Sequence, residues 1–391
     1  MKTLILCLLL LAFVGSKPLQ SQETSDSTAI CALAKDYLTN YQYEKALNAL
    51  DSCPNADSNN VEFLGKKAFC ELQLGWLKKA EATYLKILEL DTLALAARNQ
   101  LAGLYLKRNQ LDKALRQYKK LVNIDSTNSY YYKRLGDISL KMGEVASAIN
   151  FYDYSLYQNA KDLEVISTLV KIYQGLELYA QADSLINQGL ALDSSDTELI
   201  LYQAKAAYKL KRYDEVLNCA EKILGNSRDT STYLLKLLGV ANFHESNYAL
   251  SIKMLEKLID QKADSEIIHY YLGLGYRELG NAQKSIMHFN LAISLGVSDY
   301  LATYYTNLAI TLEEMGDHQA AIRAYQAAYK SSKDEILLYH LARNYDAYYK
   351  NKETALRYYK MYLASNDTDN VAFNDYSKYR ISELKAIVHF H

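Results

Sequence analysis

The sequence predicts an all-α solenoid of about ten helix-turn-helix units, closed by one C-terminal helix. Three observations predict it. Small residues recur at a fixed step: Ala46, Ala80, Ala114, Ala148 and Ala182 stand thirty-four positions apart, and Val216 keeps the step. Ser251, Ser285, Ala321 and Ala355 continue the column, with one extra residue before Ser251 and two before Ala321. Turn formers fall in register with that column, at Gly75, Asn109, Gly143, Gly280 and Gly316. The 391 residues contain just two prolines, Pro18 and Pro54. A period of this size marks stacked supersecondary units, each too small to bury its apolar face alone.

Met1 to Gln22 reads as a secretory signal. Lys2 precedes an unbroken apolar run from Leu4 to Val14, and Gly15, Ser16 and Ser21 offer small residues for cleavage. The run is shorter than the ~20 residues of a membrane-spanning helix. A buried N-terminal helix is the alternative. Residues 23–364 read as the repeat array. Ser27 to Asn60 is its first hairpin, cut short by Cys53-Pro54, and Val61 to Gln203 runs nearly uninterrupted. The register slips at Gly225–Thr232 and Gly296–Thr303, which read as loops, either hinges or tolerated insertions. Residues 365–391 hold a capping helix and tail. Phe373, Tyr376, Tyr379, Leu384 and Ile387 give Val371–Val388 an apolar stripe without a following partner.

Leu95 to Asn128 serves as the reference unit. Ala114, Leu115, Tyr118, Leu121 and Val122 recur at helical spacing and form one apolar stripe. The small column marks the point where two helices approach closely. An aromatic four residues later fills the space beside it, at Tyr84, Tyr118, Tyr152, Tyr325 and Tyr359. Gly and Asn at the turns accept the left-handed conformation that ends a helix.

The layout resembles the tetratricopeptide repeat family. Leu135-Gly136, Leu238-Gly239, Leu272-Gly273 and Leu308-Ala309 match its first helix. Ala114 with Tyr118, Ala148 with Tyr152, and Ala321 with Tyr325 and Ala328 match its second. The resemblance implies a right-handed superhelix with the first helix of each unit lining the inside. The proline that usually closes a unit is missing; Asp91-Thr92, Asp125-Ser126 and Asp193-Ser194 stand there and offer side-chain caps. The unit Thr197–Thr230 departs most, with Val216 and Ala220 in place of Ala and an aromatic.

A formal net charge of −1 gives no bulk attraction to nucleic acid or to an acidic membrane surface. Cys31, Cys53, Cys70 and Cys219 would survive leader cleavage. Export permits disulfides, and Cys31 and Cys53 stand at similar heights in the first hairpin. Either they bridge, or all four are small buried apolar residues. No Cys/His set has zinc spacing, and no nucleophile elbow, P-loop or dinucleotide fingerprint occurs. No metal or cofactor is expected, and the chain reads as no enzyme. His244-Glu245 lacks a second His at helical spacing, and His389 and His391 read as a frayed tail.

What the resemblance does imply is a groove. Carried over by position, its lining is Tyr130, Lys133, Asp137, Lys141, Glu164, Lys171, Glu198, Lys205, Tyr208, Lys209, Tyr233, Lys236, Phe243, His244 and Tyr270. Six lysines against three carboxylates, interleaved with aromatics, suit a peptide with acidic and apolar side chains. The alternative is an ordinary charged helix face. The Lys-then-Asn pair with which such repeats grip chaperone C-termini is absent, since Lys133 is followed by Asp137 and Gly65 by Phe69. The expected role is a non-catalytic scaffold for a protein or peptide partner in the cell envelope, periplasmic or at the outer membrane. A glycan- or peptidoglycan-binding module is the second reading, and a hydrolase with an unrecognised site the third.

Overall fold

The computed structural model describes residues 32–53, 59–226, 231–296, 299–365 and 370–389. Among these it is all-α, with twenty-one helices in paired arrangement. The backbone forms two compact units, one ending at Ile172 and one starting at Tyr173. The first holds α1 (32–39) with α2 (Tyr43–Asp51), α3 (Val61–Gln73) with α4 (Leu77–Leu90), α5 (Leu95–Lys107) with α6 (Leu111–Ile124), and α7 (Ser129–Lys141) with α8 (Val145–Gln158). Helix α9 (Leu163–Gly175) carries the boundary. The second unit holds α10 (Tyr179–Leu192), then α11 (Thr197–Lys209) with α12 (Tyr213–Asn226), and α13 (Thr232–His244) with α14 (Tyr248–Asp260). It continues with α15 (Glu266–Glu278) paired to α16 (Ala282–Leu295), α17 (Leu301–Glu314) to α18 (His318–Ser332), α19 (Ile336–Tyr348) to α20 (Glu353–Ala364), and ends on α21 (Val371–His389).

Every member of the small column is fully buried, from Ala46 to Ala355, including Val216, Ser251 and Ser285. The aromatics four positions on are buried too, and burial pushes the Tyr84 hydroxyl up to about 12. The facing helix makes room for them. A methyl group on Gly136 would lie 2.6 Å from the Tyr152 ring, and one on Gly273 would lie 2.7 Å from Phe289. On Gly239 it would run into Leu255. The Leu-Gly pairs therefore put glycine where a bulky side chain four residues after the small column arrives, a ring at Gly136 and Gly273 and Leu255 at Gly239. The two serines do not leave their hydroxyls stranded: Ser251 Oγ donates to the Gly239 carbonyl at 2.7 Å, and Ser285 Oγ lies 3.5 Å from Thr311 Oγ1.

The hairpin turns repeat one geometry. Positive φ occurs at Gly75, Asn109, Gly143, Gly280 and Gly316, as the sequence predicts, and also at Tyr41, Glu177, Lys211 and Ser246. The hydrogen bonds match as well. Gly143 N–H donates to Leu140 and Glu144 N–H to Ser139; Lys211 N–H donates to Tyr208 and Arg212 N–H to Ala207. A side chain in this conformation costs about 1 kcal/mol, which the closed turn sustains.

Between pairs, the aspartates that replace proline accept bonds from the backbone two residues on. Asp91 Oδ1 takes Leu93 N–H at 2.8 Å, Asp125 Oδ1 takes Thr127 N–H at 3.1 Å, and Asp193 Oδ1 takes Ser195 N–H at 2.9 Å. Asn159, one period between the last two, does the same for Lys161 at 3.2 Å. These are Asx turns, so a side-chain bond does what a fixed proline φ does elsewhere. Asn128 and Asp196 then cap the helices that follow.

The unit that departs most from the repeat is well packed. Val216, Cys219, Ala220 and Ile223 of α12 are buried against Ile200, Ala204 and Ala207 of α11. The first slip begins later than predicted, because α12 runs through Gly225 to Asn226; residues 227–230 lie outside the described chain. Gly296 caps α16 at the second slip.

Helix α21 packs on α20. Its buried stripe differs from the predicted one. Phe373 stacks on Tyr339 at 4.3 Å, and Ser377, Ile381, Leu384 and Val388 continue the face. Tyr379 and Ile387 are exposed, one helical step off that face, and Tyr376 only edges onto Tyr339 and Tyr359. Arg380 fixes the cap with a two-point bond to Asp346 (2.5 and 3.0 Å) and a third to Glu383 (2.6 Å). Lys352 and Arg380 together hold the Asp346 carboxyl below its ordinary range against burial.

Cys70 and Cys219 are buried free thiols, and burial pushes both up to about 11. Cys53 is disulfide-bonded. Its partner, like the predicted leader and Cys31, lies outside the described residues, as do His391 and the His389 side chain.

Candidate functional site

In the second unit, α11 touches α13, α13 touches α15 and α15 touches α17. The first helices of successive pairs therefore form one layer, and their outward faces make a continuous surface. The predicted lining residues divide between the two units.

In the first unit, Tyr130 is 46% exposed and packs edge-on against Tyr118 and Tyr131. Lys133 is engaged rather than open: its Nζ reaches Asp162 at 3.2 Å and Glu164 at 2.5 Å. Burial opposes its charge, and the bonds to these two carboxylates outweigh burial and raise its pKa. Asp137 is likewise committed, to Arg134 at 2.8 Å and to the Tyr152 hydroxyl at 2.8 Å. Lys141 and Lys171 are exposed. The charge excess counted from the sequence is smaller on this unit once Lys133 is neutralised locally.

In the second unit the predicted aromatics come together. His244 stacks on Tyr213 at 4.0 Å with rings 3° from parallel, and its Nε2 lies 3.1 Å from the Tyr271 hydroxyl. Phe243 fills the corner, 5.4 Å from Tyr271 and 5.5 Å from Tyr248. Tyr208 meets Tyr213 edge-on at 6.4 Å, and Tyr270 packs on Tyr304 at 5.1 Å. Tyr233 is 40% exposed, and its hydroxyl is pushed up to about 12, by burial first and then by Tyr208 and Tyr179. Burial, reinforced by Tyr213 and Tyr300, raises Tyr208 as well. His244 is lowered, by burial and then by the Lys211 charge. The wall is thus uncharged at neutral pH. Lys211 and Glu245 both act on the His244 ring; on the helix pairs that carry the wall, Lys205, Lys211 and Lys236 make no ion pair among the described residues, and Lys209 lies over the Tyr179 ring at 6.0 Å.

Among the described residues no group of three or more His, Cys, Asp or Glu side chains could hold a metal ion. None of the described helices is long and apolar enough to cross a membrane.

Residues 264–334 match the family model described as tetratricopeptide repeat. Over that stretch the chain is similar to the tetratricopeptide repeat family. It is 23% identical over 312 residues to the BBSome complex member BBS4 of Bos taurus, covering 78% of this chain and 59% of that protein. It is 23% identical over 224 residues to the TPR repeat-containing protein YpiA of Bacillus subtilis (strain 168), covering 57% of this chain and 51% of that protein. The chain thus spans just over half the length of either relative. Among solved structures, a tetratricopeptide repeat protein from Parabacteroides merdae aligns at a TM-score of 0.42 and 17% identity, over 66% of this chain and all of that one.

The tetratricopeptide register found one half of the wall and missed the other. Tyr208, Phe243, His244 and Tyr270 come from first helices, which the register selects. Tyr213 opens a second helix, and so do Tyr179 and Tyr248, thirty-four residues before it and thirty-five after it. That periodic tyrosine is the signal that would have found them. Tyr271 and Tyr300 carry no such signal.

Proposed function

We propose that this chain is a non-catalytic protein-interaction scaffold that holds an acidic peptide segment with apolar or aromatic side chains. The segment lies on the first-helix layer of the second unit. One observation carries this: an uncharged aromatic wall on helix pairs whose Lys205, Lys211 and Lys236 make no ion pair among the described residues. Aromatic faces supply contact area at low entropic cost, and the lysines select acidic side chains. The name of the cattle relative, a member of a complex, supports an assembly role.

The test is fluorescence anisotropy with a labelled peptide of alternating Glu and Phe, and with its Lys counterpart. The acidic peptide binds more tightly, and Lys205→Glu with Lys236→Glu weakens it about tenfold or more with unchanged helicity and melting. Equal binding of both peptides, or an indifferent double variant, removes the proposal.

The scaffold works in the cell envelope after export. The apolar leader at Leu4–Val14 and the disulfide at Cys53 support this, because disulfides persist in oxidising compartments. N-terminal sequencing of the mature chain tests it: a start between Ser16 and Thr24 is expected, and an intact Met1 in the cytosolic fraction contradicts it.

A glycan-binding reading rests on Tyr154 and Tyr157 of α8, which are 57% and 83% exposed, with Tyr154 stacked on Tyr132 at 5.5 Å. Retention on insoluble cell-wall material that Tyr154→Ala with Tyr157→Ala abolishes would favour it.

A further inference from the structure

His269 of α15 and His288 of α16 face each other inside their helix pair. Their Nδ1 atoms are 3.0 Å apart, the rings stack at 5.2 Å, and the residues are 3% and 6% exposed. A neutral imidazole has one N–H and one acceptor nitrogen, so one ring donates across this contact and the other accepts. Asp264 Oδ2 lies 3.6 Å from His269 Nε2, which assigns the proton there and makes His269 Nδ1 the acceptor. A first added proton enters at His288 Nε2 and the bridging proton passes to His269 Nδ1, so the cation rests on the ring beside Asp264 and His288 Nδ1 accepts. A second protonates His288 Nδ1 and leaves two donors facing each other.

The surroundings of His288 do little to absorb the second charge. The Tyr276 ring of α15 stacks on His288 at 5.5 Å, rings 5° from parallel. Glu256 of α14 is already bonded to the Tyr276 hydroxyl at 2.5 Å, and Lys284 of α16 donates to the same hydroxyl at 3.1 Å. Where α17 meets α16, Ser285 faces Thr311, both uncharged. Burial lowers both histidines. His288 falls to about 4, with the His269 and Lys284 charges adding to burial and Glu256 opposing. Next along α15 stand Tyr270, packed at 6.1 Å on Phe289 of α16, and Tyr271, bonded to His244.

We propose that the His269–His288 pair is an acid-sensitive latch: proton uptake loosens α15 from α16 and disturbs the Tyr270–Tyr271 part of the aromatic wall. Only the consequence for binding rests on the peptide-scaffold reading; the latch does not. In the unfolded chain both imidazoles titrate near their ordinary 6.5, and in the folded pair lower. The unfolded or opened state therefore holds more protons in between. The stabilisation is complete above that ordinary value and is lost as pH falls through it towards about 4.

Hydrogen exchange on the full chain at about pH 7.5 and about pH 5 tests this, corrected for intrinsic exchange. Helices α11 and α12, which contain no histidine, serve as the internal reference. Opening of α15–α16 relative to α11–α12 becomes about tenfold or more frequent at the lower pH, and His288→Phe removes most of that change. An equal response of both helix pairs overturns the latch. Should the variant fold poorly, NMR titration of ring-labelled histidine in the wild-type chain decides instead. With the rings assigned, His269 and His288 staying neutral well below the ordinary value support the latch, and both titrating near it refute it. Peptide affinity at neutral pH is a separate reading, so failure of the scaffold leaves the latch result standing.

Discussion

Helix pairs α7–α8 and α11–α12 have the same architecture and share few of the residues that build it. In α7–α8, Gly136 leaves a space that Tyr152 fills, and the Tyr152 hydroxyl bonds Asp137 at 2.8 Å. In α11–α12 the equivalent places hold Ala204 and Ala220, both fully buried. Bulk has moved to neighbours: Val216 in the small column, with Cys219 and Ile223 beside it. The polar link has moved as well. Gln203 donates to Glu215 at 3.0 Å, and Glu215 pairs with Arg212 at 3.0 Å, which reaches Asp183 at 3.1 Å. The repeat constrains the total volume at the crossing and leaves its distribution open. Cores accept redistributed volume while patterning holds.

The largest break of this equivalence comes at the small column. Ala148→Asp puts an unpaired carboxylate at a fully buried crossing and costs about 4 kcal/mol. Denaturant unfolding measures it, and a midpoint near wild type would place Ala148 outside the crossing. Next comes the glycine that receives the ring. Gly136→Ala costs about 2 kcal/mol by overpacking Tyr152, although alanine is the better helix former. A stabilised variant would show that Tyr152 shifts freely. The smallest effect separates the two turns. Gly143 and Lys211 hold the same turn position at φ 80° and 58°. Lys211→Gly stabilises by up to about 1 kcal/mol and Gly143→Ala destabilises by about the same. Opposite signs in thermal melts confirm one shared turn geometry, and equal signs break it.

The period made the helix pairing legible in advance, because small residues at a crossing and turn residues at its end both repeat. Volume sharing was not legible, since it is a sum over neighbours that no single column shows. Val216 and Ala220 read as departures from the repeat for that reason. The cap was legible as a helix, while its buried face was misread: Tyr379 and Ile387 follow helical spacing as well as Ser377 does, and apolarity alone favoured them. The binding surface was half legible. Position within the repeat finds Tyr208, His244 and Tyr270, but the stack that joins His244 to Tyr213 depends on two helices meeting. Lys133 shows the converse. Its position suits a groove, yet Asp162 and Glu164, roughly thirty residues on, take up its charge.

A double-mutant cycle in α11–α12 tests shared volume most directly. Ala220→Tyr alone overfills the crossing and costs about 3 kcal/mol, and adding Ala204→Gly restores the glycine-and-tyrosine arrangement of α7–α8. If bulk is shared as described, the two changes couple favourably by at least about 1.5 kcal/mol in chemical unfolding, even though glycine weakens the helix. Additive effects, agreeing within about 0.4 kcal/mol, would contradict it.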